Sequence, residues 1–249
     1  PRDWSSDVCS SDLAIARVAQ EPQLDDHASA FDAAAAGLGA HAALLSEYHA
    51  VAHSVADAPD ALQRSGQWQQ AGELLGRAGA GLRAAGAEAL LIATNTMHKV
   101  ADTVVRESGL PLLHIGDATG RALSAAGCRR AGLLGTRFTM EDGFLHRHLA
   151  EGHGVAVTVP PEADRAEVHR IIFDELCRGV LRDESRATFA RIIGDLHAAG
   201  CDSVVLGCTE ISLLVDPAAP GWPLPLFDTT ALHAQAAVDW MLQAQEEMA

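Results

Sequence analysis

From Ser65 onwards the chain alternates short apolar runs with longer stretches in which apolar positions recur every three or four residues. Short unbroken runs read as buried strands and the longer periodic stretches as amphipathic helices. The runs Ala89–Ala93, Leu112–Ile115, Ala131–Leu134, Val155–Val159 and Val204–Leu206 predict strands. Between them lie helices Gln69–Ala85, closed by Gly86, and Thr96–Glu107, followed by Gly109. A helix leading to Gly127 follows, with Asp117 or Thr119 as its expected cap. The pattern then predicts helices Met140–Ala150, Asp164–Leu176, Glu184–Ala199 and, beyond a Pro-rich link at 217–225 and a short strand, Thr230–Gln245. Alternation of this kind specifies an α/β fold with a doubly wound parallel sheet.

Two strands end alike. Leu90–His98 breaks from apolar residues into Thr94-Asn-Thr-Met-His98, and Val204–Ile211 breaks into Gly207-Cys-Thr-Glu210. Each is followed by a similar strand and helix start, Leu110-Pro-Leu-Leu and Leu224-Pro-Leu-Phe. Thr94 lies 114 residues before Cys208, and Pro111 lies 114 before Pro225. One fixed offset suggests two pseudo-symmetric copies of one α/β unit. Ligands of open α/β sheets sit at the carboxyl ends of strands, so the two breaks mark a candidate site in the cleft between units. The expected division is 14–116 with 226–249 as the first unit and 117–225 as the second.

The N-terminal part does not fit this scheme. Residues 1–13 lack periodicity and resemble a translated sequencing adapter, so they are set aside as a non-native leader together with Cys9. Residues 14–63 hold only weak helical stretches, such as Ala28–Ala43. The first unit is therefore expected to lack the opening strand that the second has at Arg130–Thr139.

Composition narrows the class. The 249 residues are 48% hydrophobic and 20% charged, ordinary for a globular protein. A net charge of −15 without a basic patch argues against a nucleic-acid partner. No apolar run approaches the roughly 18 residues of a membrane span, so no membrane partner is expected. Five cysteines match neither a zinc nor a disulfide pattern, which predicts reduced thiols and a cytoplasmic setting. His146, His148 and His153 lack a matching acid or Cys partner at metal-ligand spacing; they read as a solvated helix face, with no metal expected.

The residues at the strand ends suggest proton chemistry. A Cys at a helix start is a potential thiolate base with a lowered pKa, which makes Cys208 the leading candidate. Thr94 keeps its proton at neutral pH and can only donate a hydrogen bond or relay a proton. Asn95, Thr96 and Thr209 could cradle a carboxylate with nearby backbone N–H groups. Glu210 could orient Cys208 or a substrate amino group, or simply serve as a first-turn acid. Thr136 and Thr139 occupy an equivalent strand edge, and His98 lies one turn behind Thr94.

At Thr94-Asn-Thr-Met-His98 and Gly207-Cys-Thr-Glu210 the chain resembles the aspartate/glutamate racemase family. The resemblance extends from about Ser65 to Gln245 and includes Leu133-Leu-Gly-Thr-Arg-Phe-Thr139, Asp174-Glu-Leu-Cys-Arg-Gly179 and Phe227-Asp-Thr-Thr230. It implies a small-molecule amino-acid substrate, no cofactor, and two groups that remove and return the α-proton from opposite faces. Most members carry Cys where this chain has Thr94; one subgroup shares its Thr-Asn-Thr-Met-His pattern. The resemblance also implies a cation for the substrate side-chain carboxylate, a place that Arg178 occupies here, though a helix C-terminal Arg balancing the dipole reads equally from its position, and it leaves a homodimer open. Decarboxylases and maleate-type isomerases on related folds, or a binding protein without turnover, are the rival expectations.

Overall fold

The computed structural model describes residues 67–247. The leader, Cys9, the helix at 28–43 and the missing first strand lie outside the described residues. The described chain opens with α1 (Gln67–Ala84), β1 (Leu90–Leu91), a 3-10 turn (Thr96–Val100), α2 (Ala101–Ser108) and β2 (Leu112–Leu113). It continues with α3 (Ile115–Ala125), β3 (Arg130–Leu134), α4 (Arg137–Glu141), α5 (Phe144–His153) and β4 (Ala156–Thr158). Then come α6 (Glu162–Arg170), α7 (Asp183–Ala198), β5 (Ser203–Leu206), α8 (Ile211–Leu214), β6 (Leu226–Asp228) and α9 (Thr229–Glu247).

All strand pairs among the described residues are parallel. Strands β1 and β2 pair with each other, and a four-stranded sheet runs β4-β3-β5-β6. The internal repeat survives in the hydrogen-bond register. Leu90 pairs with Leu112, and Val204, 114 residues later, pairs with Leu226. The Leu90 amide donates to Pro111 O at 2.9 Å, and the Val204 amide donates to Pro225 O at 3.0 Å. The strand ends thus carry matched backbone geometry with different side chains.

Two apolar clusters hold these layers. One joins Trp68, Leu90, Met97, Val104, Leu123, Leu133, Leu145 and Val205, bridging β1 to the larger sheet. The other gathers Ile171, Phe189, Ile193, Val204, Leu206 and Ile211 on the opposite side of β5. Strand β5 (Ser203–Leu206) is buried along its whole length, as its unbroken apolar run requires of a strand covered on both faces. Helix α1 lies close on α2 through Gly72 and Gly79, where an added Cβ would stand 2.9 Å from Thr103 Cγ2 and 2.7 Å from Ser108 Cβ. Helix α9 packs on α3 and β2, which closes the chain against its own middle.

Three expectations about helices need correction. The single helix expected at Met140–Ala150 is two, because Gly143 takes φ +82 and ends one helix while starting the next. The helix expected to reach Leu176 leaves α-geometry at Ile171–Glu175, a one-turn π-bulge, and ends in a 3-10 turn at Leu176–Arg178. The cap of α3 is neither Asp117 nor Thr119. It is His114, whose Nδ1 accepts the Gly116 amide at 3.0 Å. Its repeat partner is Asp228, which accepts the Thr230 amide at 2.8 Å, so an imidazole replaces a carboxylate at the same structural position. No described helix is long and apolar enough to cross a membrane.

Candidate functional site

The carboxyl ends of β1, β3 and β5 meet through hydrogen bonds that link loops distant in sequence. The Thr229 hydroxyl donates to Leu206 O at 2.9 Å, at the end of β5. Having spent its proton there, it can only accept from Asn95 Nδ2, which lies 2.9 Å away. This polarity fixes the Asn95 amide and leaves Oδ1 buried with no protein partner. Asn95 is 4% exposed, so the orphaned acceptor would cost free energy unless a ligand or water donates to it. Asn95-Thr229-Leu206 therefore ties the Thr94 side of the site to the Cys208 side.

On the Cys208 side, the loop begins where the Gly207 amide donates to Leu134 O at 2.7 Å, drawing β5 and β3 together at their ends. A Cβ on Gly207 would stand 3.1 Å from Leu134 O and 2.9 Å from Leu133 Cδ1. Only glycine lets the strands approach this closely. Thr139 Cγ2 lies 3.4 Å from that same Cβ position, and its Oγ1 is 3.1 Å from Thr136 Oγ1. Thr136 also caps α4 by accepting the Thr139 amide at 3.3 Å. These threonines thus border the Cys208 loop.

Cys208 is half-buried, and its thiol donates to Glu210 Oε2 at 2.9 Å. Thr209 Oγ1 donates to the same oxygen at 2.7 Å. Burial, followed by the Glu210 charge and the hydrogen bond to it, pushes the thiol well above its ordinary pKa. This corrects the expectation of a thiolate stabilised by a helix start. The helix after Cys208 has four residues and gives little dipole, while a carboxylate accepts the thiol proton and opposes its loss. The resting state is a thiol.

On the Thr94 side, residues 96–100 form a 3-10 turn, and its N-cap residue Asn95 makes no side-chain cap bond. Thr94 does not cap it either; its carbonyl oxygen is held by His98 Nδ1 at 2.8 Å. The other ring nitrogen of His98 accepts the Ile115 amide at 3.1 Å. His98 therefore carries its proton on Nδ1 and is neutral. Burial first, then the neighbouring His114, lowers its pKa to about 3. Thr96 is half-buried at the head of the turn.

Arg178 lies on the 3-10 turn after α6, with its side chain 70% exposed and 3.8 Å from Asp174. Its neighbour Cys177 is exposed, and its thiol is raised by partial burial first and then by the Glu210 charge. Thr229, the residue that joins the two sides, lies within the Phe227-Asp-Thr-Thr230 motif. Its place next to Asp228 in the repeat was the available signal.

A second polar cluster lies between α3 and α5. His148 Nε2 donates to Asp117 Oδ1 at 2.6 Å, and His153 Nε2 approaches the same oxygen at 3.2 Å. The His114 and His148 rings stack with centroids 3.9 Å apart. His148 and His153 are half-buried against α3, so they are not the solvated face that their spacing suggested. Their acid, Asp117, comes from another helix and could not be read from the spacing along α5. Burial raises the Asp117 pKa, but hydrogen bonds from His148 and His153 outweigh it and hold the carboxyl below its usual range. Burial and then His148 lower His114 to about 4.

The chain matches known proteins in sequence and in fold. The Asp/Glu/hydantoin racemase family model matches residues 29–237. A candidate Asp/Glu racemase from Yersinia pestis is 49% identical over 74% of this chain and 79% of its own, with a TM-score of 0.68. An aspartate racemase homologue from Pyrococcus horikoshii OT3 is 33% identical over 72% and 77% of the two chains, with a TM-score of 0.64. A glutamate racemase from Francisella tularensis in complex with D-glutamate shares the fold at 15% identity, covering 71% of this chain and 64% of its own, with a TM-score of 0.51.

Proposed function

Because the chain belongs to the Asp/Glu/hydantoin racemase family, we propose that it inverts the α-carbon of aspartate or glutamate without a cofactor, with Cys208 as main acid/base and Thr94 opposite. The carrying observation is the Cys208 thiol hydrogen-bonded to Glu210, beside a bridge that leaves Asn95 Oδ1 open. A substrate α-ammonium is a donor suited to that orphaned oxygen. Its positive charge would also favour ionisation of the thiol, offsetting the burial and the Glu210 charge that oppose it.

In this reading the Cys208 proton passes along its hydrogen bond to the Glu210 carboxylate. The thiolate then takes the α-proton, and the substrate carboxylate spreads the resulting charge as an enediolate held by Thr96, by nearby N–H groups and by Thr209 once its hydroxyl turns from the protonated Glu210. Return of a proton on the other face falls to Thr94, which passes one from water because its hydroxyl cannot rest as a base; the hydroxide left behind takes the proton held on Glu210 and restores the carboxylate. The two faces are chemically unequal, so one enantiomer should exchange faster than the other. Arg178 would reach the substrate side-chain carboxylate only by leaving Asp174.

Proton NMR of α-hydrogen loss in D₂O, with each enantiomer of aspartate and glutamate, tests the proposal. Exchange with at least one of the four, lost in Cys208→Ser, is the expected result. No exchange with any, or exchange that Cys208→Ser leaves intact, overturns it. A single thiol facing a hydroxyl also suits one-sided protonation, as in decarboxylation of a malonate or isomerisation of maleate; product analysis with those substrates separates the reactions.

A further inference from the structure

We propose that His114, Asp117, His148 and His153 form a binding site for one divalent transition-metal ion of the zinc class, separate from the strand-end site. One ligand atom each from His114, Asp117 and His148 lies within 4.8 Å of the other two. Ligand atoms around a tetrahedral ion stand about 3.3 Å apart, given metal–ligand bonds of about 2.0–2.1 Å. The widest of these spacings therefore closes by up to about 1.5 Å, while the 2.6 Å His148–Asp117 contact opens to admit the ion. Asp117 Oδ1 already gathers two imidazole nitrogens, His148 Nε2 at 2.6 Å and His153 Nε2 at 3.2 Å. An ion inserted among them would take the place of the Nε2 protons, which move to Nδ1 or leave to solvent, and bind the same atoms.

The backbone makes room for these rings. Gly116 and Gly120 lie one turn apart on α3, facing α5. A Cβ at Gly116 would stand 2.6 Å from His148 Cδ2 and 3.0 Å from His114 Nδ1, and one at Gly120 would overlap the His153 ring. The histidines are thus seated in a recess that other side chains would fill. Imidazole-rich sets favour zinc, nickel, cobalt or copper over magnesium or calcium, which need mostly oxygen ligands. A ring nitrogen binds metal in the plane of its ring, so the His114–His148 stack, now 9° from parallel, opens on loading. Asp117 at 42% and His148 at 30% side-chain exposure leave a path for the ion and room for that turn.

The test uses the full chain, freed of metal with a chelator and carrying Cys177→Ser so that the exposed thiol cannot compete. Calorimetric titration with Zn²⁺ should give one ion per chain. Asp117→Asn and His148→Gln should each weaken binding by about tenfold to a hundredfold, at unchanged far-UV circular dichroism. Titration with Co²⁺ should produce a visible absorption band without the near-ultraviolet band of a thiolate ligand. Absence of stoichiometric binding, a thiolate band, or equal affinity in folded variants overturns the assignment. If the variants unfold, the Co²⁺ spectrum of the parent chain decides by itself. Neither readout involves turnover, so the result is independent of the racemase reading.

Discussion

Acidification from pH 7 to pH 5 should destabilise this protein through His98 in a way that one substitution can isolate. His98 is 3% exposed, donates through Nδ1 to Thr94 O, and accepts the Ile115 amide on Nε2. A second ring proton would point at an amide proton, and burial would oppose its charge, so the folded pKa falls from 6.5 to about 3. Only the unfolded chain takes up this proton between those values. The contribution is therefore whole above pH 6.5 and is lost as the pH falls from 6.5 towards 3. Each pH unit in that window removes about 1.4 kcal/mol, so pH 5 removes about 2 kcal/mol relative to pH 7. At pH 5 the figure depends on the unfolded value, because the folded ring is still neutral. Urea unfolding of the parent chain and of His98→Gln, at both pH values, measures it. His114 and the carboxylates contribute to both proteins, so the fall in stability should be about 2 kcal/mol smaller in the variant. Equal falls would refute the neutral, doubly bonded ring.

Other perturbations probe the strand ends. Thr229→Val keeps the shape but strands Asn95 Nδ2 and Leu206 O; thermal unfolding should show a loss of about 1–3 kcal/mol, and an unchanged melting temperature would dismiss the bridge. Gly207→Ala sets a methyl group 3.1 Å from Leu134 O; chemical denaturation should report about 1–3 kcal/mol of destabilisation, whereas none would mean that the two strand ends part freely. Glu210→Gln removes a charge that holds the Cys208 thiol up, so Cys208 alkylation at fixed pH, followed in a Cys177→Ser background, should speed up by about tenfold for each unit of pKa released; an unchanged rate would remove Glu210 as a cause.

Much of the backbone was legible because it follows local rules. The 114-residue offset reappears in strand register, Leu90 with Leu112 and Val204 with Leu226, since apolar periodicity reports which segments are buried. Helix breaks were less legible. Gly143 splits a stretch whose apolar spacing continues across it, and the π-bulge at Ile171–Glu175 leaves that spacing almost unaltered. The cap at His114 is not legible from residue type because histidine is not among the usual cap residues, though its repeat partner Asp228 is.

By itself, the sequence determined the α/β class, the repeat and the two strand ends where Thr94, Asn95 and Cys208 reside. These depend on residue type and on spacing along one chain. Tertiary structure alone decided what those groups are chemically. Cys208 rests as a thiol because burial removes water and Glu210 turns towards it, and His98 stays neutral because burial opposes its charge and a distant amide fills its second nitrogen. Thr229 orients Asn95 from 134 residues away, and Asp117 collects two histidines from a different helix. Protonation and orientation are set by which groups meet and how much water remains between them, and neither is written in the spacing of one strand or helix.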